Sequence, residues 1–349
     1  MRANEQNLEA GDGSTNVQAG HDVHMHGLTL SEARQVALDV YRANALELQG
    51  VAQAVAIARA EELTNEFLDK LNTETPERVG RLSDPDVQSV LFDAQKEYAR
   101  AGEEDLRRAL VDLLASRAGE EERNLRALAL NEAIISAAKL TESQRRAVAF
   151  VFYARHTRPT HVGTVEELYN RVGPTIETLG AGLPTKRADY QHIEYVGAGA
   201  VSIASVSFAA TVRSGVEGLF TTGFPESEVD ESLLASLRTR GLIMPCIRNS
   251  ANLQLTVLGT EDLDDRLGAA GWEGDAVAVR ALMNKGMMTD EQVVADAISK
   301  RPALASVQDA WEDETTGLKN LTLTSVGLAL GHAYWTRVAG GSAPLSVWL

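Results

Sequence analysis

Thr29-Leu30-Ser31-Glu32, with the proline-free run that follows it to Leu71, is the stretch that decides the fold class. Thr29 and Glu32 stand three apart, the spacing of a capping box, in which hydroxyl and carboxylate each satisfy an N–H left free at a helix start. Behind the cap, Ala33, Val36, Ala37, Val40, Leu48, Val51, Val55, Ala58, Leu63, Phe67 and Leu71 recur close to helical spacing. The run reads as one amphipathic helix of about 40 residues, roughly 60 Å at ~1.5 Å per residue, with Gly50 as its weak point. Its middle, Val51-Ala52-Gln53-Ala54-Val55-Ala56-Ile57-Ala58-Arg59-Ala60, is rich in small side chains that let a second helix approach closely. A helix far longer than the ~11–12-residue average needs a partner along its length, from its own chain or from a sister subunit.

Upstream, Met1 to Ala10 is a polar tail. Glycines and polar residues then punctuate two short alternating pieces over residues 11–27, read as strands joined at Ala19-Gly20. In the second piece Val23 and Met25 share one face, and Asp22, His24 and His26 the other. A lone two-stranded ribbon is marginal, so it is disordered, docked on its own domain, or paired with copies from other chains. The residues expected to carry self-association are Val17, Val23, Met25, Val36, Val40, Leu48, Val51 and Val55.

Downstream of Pro76 the pattern becomes a series of shorter helices. One is capped by Ser83, has Pro85 in its first turn and runs to Tyr98. Others cover Glu103–Ala118, Glu120–Ala138, Thr141 to Tyr153 and Val165–Thr178, with Arg155 to Gly163 as a loop. Short glycine connections imply antiparallel neighbours in a bundle. Gly180-Ala181-Gly182-Leu183-Pro184 reads as a linker. Beyond it the pattern is mixed: strands over Ile193–Val196 and Leu253–Leu258, and helices over Glu228–Arg240, Asp275–Lys285, Asp290–Lys300, Ala303–Trp311 and Val326–Val338. The apolar ending Leu345-Ser346-Val347-Trp348-Leu349 is expected to be docked. The fold class is therefore mainly α. A polar tail and β ribbon (1–27) precede a long helix (28–75), a helical bundle (76–180) and a smaller mixed α+β domain with a winged-helix-like pattern (185–349).

Composition bounds the function. The 349 residues are 44% hydrophobic and 5% aromatic, so the core rests on Leu, Val, Ala and Ile. A net charge of −16 argues against a large nucleic-acid footprint, which needs clustered Lys and Arg. The single cysteine, Cys246, excludes an internal disulfide and a cysteine metal cluster, and its apolar neighbours mark it as a buried hydrophobe. The polar start lacks the apolar core of a signal peptide. No apolar run reaches the ~20 residues that span a bilayer, so a cytoplasmic protein is expected.

Three segments together resemble one uncharacterised family of bacterial proteins known by locus tags. They are Gly11-Asp12-Gly13-Ser14-Thr15-Asn16-Val17-Gln18-Ala19-Gly20-His21-Asp22-Val23, the helix from Ser83-Asp84-Pro85 to Tyr98-Ala99-Arg100, and the closing Pro344-Leu345-Ser346-Val347-Trp348-Leu349. The resemblance spans nearly the whole chain. The family commonly has Arg in place of His21 and Asn in place of His24, a departure that argues against a shared metal role. Its N-terminal segment is similar to ones found beside other bacterial domains, where it looks like an assembly element. The resemblance thus implies oligomerisation and carries over no activity.

Candidate chemistry is sparse. Asp22, His24 and His26 offer two imidazoles and a carboxylate of the kind that hold a divalent metal, yet lack an evident fourth ligand. A solvated or inter-subunit polar face explains them better. Arg155, His156, Arg158 and His161 surround one loop and can meet an anion, although a plain surface loop is the simpler reading. His332 reads as a buried, hydrogen-bonded histidine. Gly197-Ala198-Gly199, between an expected strand and helix, has the backbone freedom of a phosphate loop but no Rossmann or Walker fingerprint. Around Leu233–Leu258, Arg238, Arg240 and Arg248 would give a winged helix positive charge, opposed by Glu261-Asp262-Leu263-Asp264-Asp265. No Ser, Cys or carboxylate sits in a recognised nucleophile motif, and Glu120-Glu121-Glu122 reads as a solvated helix start. No catalytic residue and no cofactor is expected. The leading expectation is a non-enzymatic homo-oligomeric scaffold or adaptor with a possible protein partner, no nucleic acid and no membrane. The alternatives are a sensor or effector of a bacterial stress or phage-defence system with a ligand site in the C-terminal domain, and a winged-helix regulator.

Overall fold

The Glu32 carboxylate accepts from the backbone N and the hydroxyl of Thr29, both at 2.8 Å, so α1 (Leu30–Asn44) starts where the capping box places it. The computed structural model describes residues 29–44, 50–269, 276–341 and 343–349. The ribbon over 11–27, with Val17, Asp22, Val23, His24, Met25 and His26, lies outside the described residues, as does Leu48.

The run expected to form one rod is instead two helices, α1 and α2 (Val51–Glu74), packed antiparallel. Arg34 reaches Asn65 at 2.8 Å, and Arg42 reaches Glu61 at 2.9 Å. Tyr41 donates to the Ala56 carbonyl at 3.4 Å. Two physical reasons override the unbroken helical pattern. Gly50, immediately before α2, has φ +61, a left-handed conformation that side chains disfavour. And the two apolar stripes satisfy each other, since Ala33 and Ala37 bury in the same core as Leu63, Phe67 and Leu71.

A 3₁₀ segment (Pro76–Ser83) leads to α3 (Pro85–Ala101), α4 (Glu104–Ala118), α5 (Leu125–Ala137), α6 (Glu142–His156) and α7 (Val165–Gly180). Asp84, rather than Ser83, caps α3, and Asn124 caps α5, each accepting a backbone N–H at 2.9 Å. The Glu120–Glu122 run therefore precedes its helix, with Glu120 paired to Arg126 at 2.9 Å. Complete capping boxes, Thr141 with Gln144 and Thr164 with Glu167, start α6 and α7.

The rest of the chain contributes α8 (Arg187–Tyr195), β1 (Gly199–Val201), α9 (Phe208–Arg213), α10 (Glu231–Thr239), β2 (Ile243–Pro245), β3 (Leu253–Leu255) and α11 (Thr260–Ala269). It ends with α12 (Ala276–Met283), α13 (Asp290–Lys300), α14 (Leu304–Glu312), β4 (Leu321–Leu323) and α15 (Ser325–Ala339). The strand expected over Ile193–Val196 is the end of α8 instead, because Tyr190 and Ile193, three apart, bury together on one helical face. The strands pair as two short antiparallel ribbons, with Gly199 opposite Leu323 and Ile243 opposite Leu255. The molecule is mainly helical, with a small mixed part.

α15 packs against α4, α5 and α6, so the last helix completes a bundle begun more than two hundred residues earlier. Gly331 permits this contact: a Cβ there would lie 2.5 Å from the Cβ of Phe152 on α6. Charges lock the same junction. Arg145, 1% exposed, donates to Glu103 at 2.7 Å and to the Tyr334 hydroxyl at 2.8 Å. Arg337 reaches Asp105 at 3.1 Å, and Lys70 reaches Asp112 at 3.3 Å. Burial raises the Asp112 carboxyl against the opposing charges of Lys70 and Arg337. The larger core cluster extends from Ala33 to Leu345 and includes residues on both sides of Gly180–Pro184. A second cluster, with Phe224, Leu237, Leu255, Leu263 and Val279, lies among α10, β3, α11 and α12.

The apolar ending is docked, as expected. The Trp348 ring sits 5.0 Å from Phe152, and its indole N–H donates to the His156 carbonyl at 2.6 Å. Among the described residues no helix is long and apolar enough to cross a membrane.

Candidate ligand cleft

Arg155 and His156 form the last turn of α6, so helix extends into what reads in the sequence as loop; the irregular connection to α7 starts at Thr157. A cleft of about 860 Å³ opens beside that turn, between α6, α7, α9 and the segment after α15. Its volume is in the range of small-molecule sites. Leu168, Val172 and Ile176 of α7 and Phe208 and Val212 of α9 give it apolar walls. Tyr153, Trp335 and Trp348 add aromatic rings, and Arg155, His156, Arg158 and Arg171 add positive or titratable groups.

Arg155 is half-buried and, like Arg59, donates to backbone carbonyl and not to a carboxylate. Arg117, Arg145, Arg248, Arg301 and Arg337 each hold a carboxylate. Among the described residues Arg155 has none. It donates to the Lys319 carbonyl and lies 5.5 Å from the Trp311 ring centroid, while its Nε is buried without a hydrogen bond. Burial holds its guanidinium below the ordinary arginine value, with no opposing charge to restore it. Burial, followed by the neighbouring Arg155 charge, also holds His156 below the ordinary imidazole value. Burial pushes the Tyr153 phenol up to about 12, against a hydrogen bond with Thr175 that lowers it. Among the described residues Arg171 donates to the Thr160 carbonyl alone, and Arg158 pairs with Glu261.

A second, more polar cleft of about 760 Å³ shares the Arg158–Thr160 rim. His161, Glu217, Asp262 and Asp265 line it, together with Glu261 and Arg266. His161 has φ 56, the one positive φ outside glycine among the described residues. The two histidines grouped by sequence therefore face different clefts: His156 lines the first and His161 the second.

The other candidates separate. Gly197 and Gly199 do not bridge a strand and a helix: α8 precedes them and β1 follows. The Gly197 carbonyl accepts from Thr324 at 2.6 Å, and a Cβ on Gly199 would meet the Thr322 carbonyl at 2.9 Å. These glycines admit the β1–β4 pairing and do not bare N–H groups for phosphate. His332 is buried with Nε2 2.9 Å from the Ala343 carbonyl, as expected. Cys246 is buried and donates to the Thr221 carbonyl. Arg238 pairs with Glu226, and Arg248 holds Asp296 through two bonds of 3.0 and 2.9 Å. Their charge is thus largely spent inside the chain.

Of the self-association candidates, Val36 and Val40 line a small hollow against Leu82 and Leu91, whereas Val51 is 81% and Val55 41% exposed. No group of three His, Cys, Asp or Glu side chains suited to a metal occurs among the described residues. Sequence reading missed Tyr153, Arg171, Trp335 and Trp348. Only the tryptophans left a signal, in the apolar ending and the last helix.

No curated protein and no solved structure matches the chain. A family model whose description reads ":-like" matches residues 27–349. That description states no activity, ligand or partner. Because the match covers nearly the whole length, the chain belongs to the family this model describes.

Proposed function

We propose that the protein is a sensor or adaptor that binds a small organic anion in the cleft at the C-terminal end of α6. Arg155 carries this reading. Arg155 is half-buried, and its desolvation is offset by the C-terminal dipole of α6 at about 0.3–1 kcal/mol and by the Trp311 ring at about 0.5–2 kcal/mol, with no full counter-charge among the described residues. The chain has 49 acidic residues against 33 basic ones, and none of the described acids is placed on Arg155. A negatively charged ligand supplies the missing partner. The apolar walls then favour an organic anion over a bare inorganic one.

Thermal denaturation with a panel of anions tests the reading, with pyrophosphate and nucleoside monophosphates as probes. At least one should raise Tm for the natural protein in a saturable way, and the shift should vanish in Arg155→Met. Equal behaviour of the two proteins with every anion would refute it.

A second reading has its own support. Val51 and Val55 leave apolar surface open at the start of α2, and self-association through that face would cover it. The test is mass in solution at micromolar concentration. A dimer or larger species, reduced to monomer by Val51→Glu with Val55→Glu, supports the reading. A monomer unchanged by deleting residues 1–27 sinks it.

A further inference from the structure

We infer that the anion is a mononucleotide, its phosphate held by Arg155 and Arg171 and its base stacked on Trp335 or Trp348. This rests on the reading of the cleft as an anion site and names the class of ligand. The charge argument comes first. Two guanidiniums border the cleft with no carboxylate partner among the described residues. Arg155 commits one terminal nitrogen to the Lys319 carbonyl, and its charge has no carboxylate partner among the described residues. One cation suffices for a carboxylate, whereas a phosphate monoester carries close to two negative charges and three acceptor oxygens, and arginine forks match them.

The aromatic argument is independent of charge. In a chain with four tryptophans, two line this one cleft and both are partly buried. Their rings meet edge to face, with centroids 5.8 Å apart at 81°. Both rings also pack on Phe152 and His332, so a ligand meets only the part of each indole face that lines the cleft. Trp348 is held in place by its bond to the His156 carbonyl, one residue from Arg155, so aromatic and cationic parts of the wall are tied to the same helix end. A planar base stacks on such a face without needing a particular hydrogen-bond pattern. The net charge of −16 opposes a polymer tracking across the surface, so a single nucleotide fits better than a nucleic-acid strand.

Titration calorimetry on the full chain tests this, using the four ribonucleoside monophosphates, adenosine and pyrophosphate. At least one monophosphate is expected to bind about tenfold or more tighter than both adenosine and pyrophosphate. Trp335→Leu should weaken that nucleotide about tenfold while leaving pyrophosphate unchanged, with far-UV circular dichroism confirming the fold. If Trp335→Leu does not fold, tryptophan fluorescence of the natural protein takes its place: saturable quenching by the nucleotide is expected. Pyrophosphate binding as tightly as every nucleotide would overturn the nucleotide assignment and leave the anion site standing, as would binding without quenching. No binding by any of these anions would overturn both.

Discussion

Arg145 and Arg155 lie ten residues apart on one helix and face opposite situations. Arg145 is fully enclosed and satisfied by Glu103, Asp105, Tyr334 and two carbonyls. Its replacement by Met strands those acceptors at the junction of α4, α6 and α15. A loss of about 3 kcal/mol in urea unfolding is expected. The histidines give a pH dependence. Burial holds His156 and His332 below the ordinary value of 6.5, so below that value the unfolded chain binds more protons than the folded one. Stability then rises with pH: the contribution is complete above about pH 6.5 and shrinks as pH falls through it. The urea midpoint should be lower at pH 5.5 than at pH 7.5. His332→Gln, which retains a donor for the Ala343 carbonyl, should narrow the gap; an unchanged gap would exclude His332 as its source.

At the scale of elements, boundaries written in local chemistry are legible. Thr29 with Glu32, Thr141 at α6 and Gly102, with φ +67 closing α3, all act where the sequence places them. What is not local is not legible. The α1–α2 run has an unbroken helical pattern, yet the choice between rod and hairpin depends on whether Ala33 and Ala37 find Leu63 within the same chain. The cleft shows the same division. Arg155, His156 and Arg158 are near neighbours in sequence, whereas Arg171 comes from α7, and Trp335 and Trp348 arrive from the far end because α15 packs on α6. Gly331→Ala tests that packing directly, since its Cβ meets Phe152. Destabilisation of about 1–3 kcal/mol is expected from overpacking, read as a lowered urea midpoint.

At the scale of the whole molecule, the cleft lies where α6, α7 and α9 meet the closing segment of the chain, beside the larger core, so its occupancy bears on overall stability. Ligand binding to the native state alone raises the unfolding free energy by mass action. A binding residue held without its partner does the reverse in the empty protein. A side chain kept for structure and one kept for a ligand therefore respond oppositely to removal. The most direct test is equilibrium urea unfolding of ligand-free Arg155→Met beside the natural protein, both purified without added anions. An unchanged or higher midpoint for Arg155→Met is expected if the arginine waits for an anion. A midpoint lowered by an amount comparable to that of Arg145→Met would contradict this and make Arg155 a structural residue.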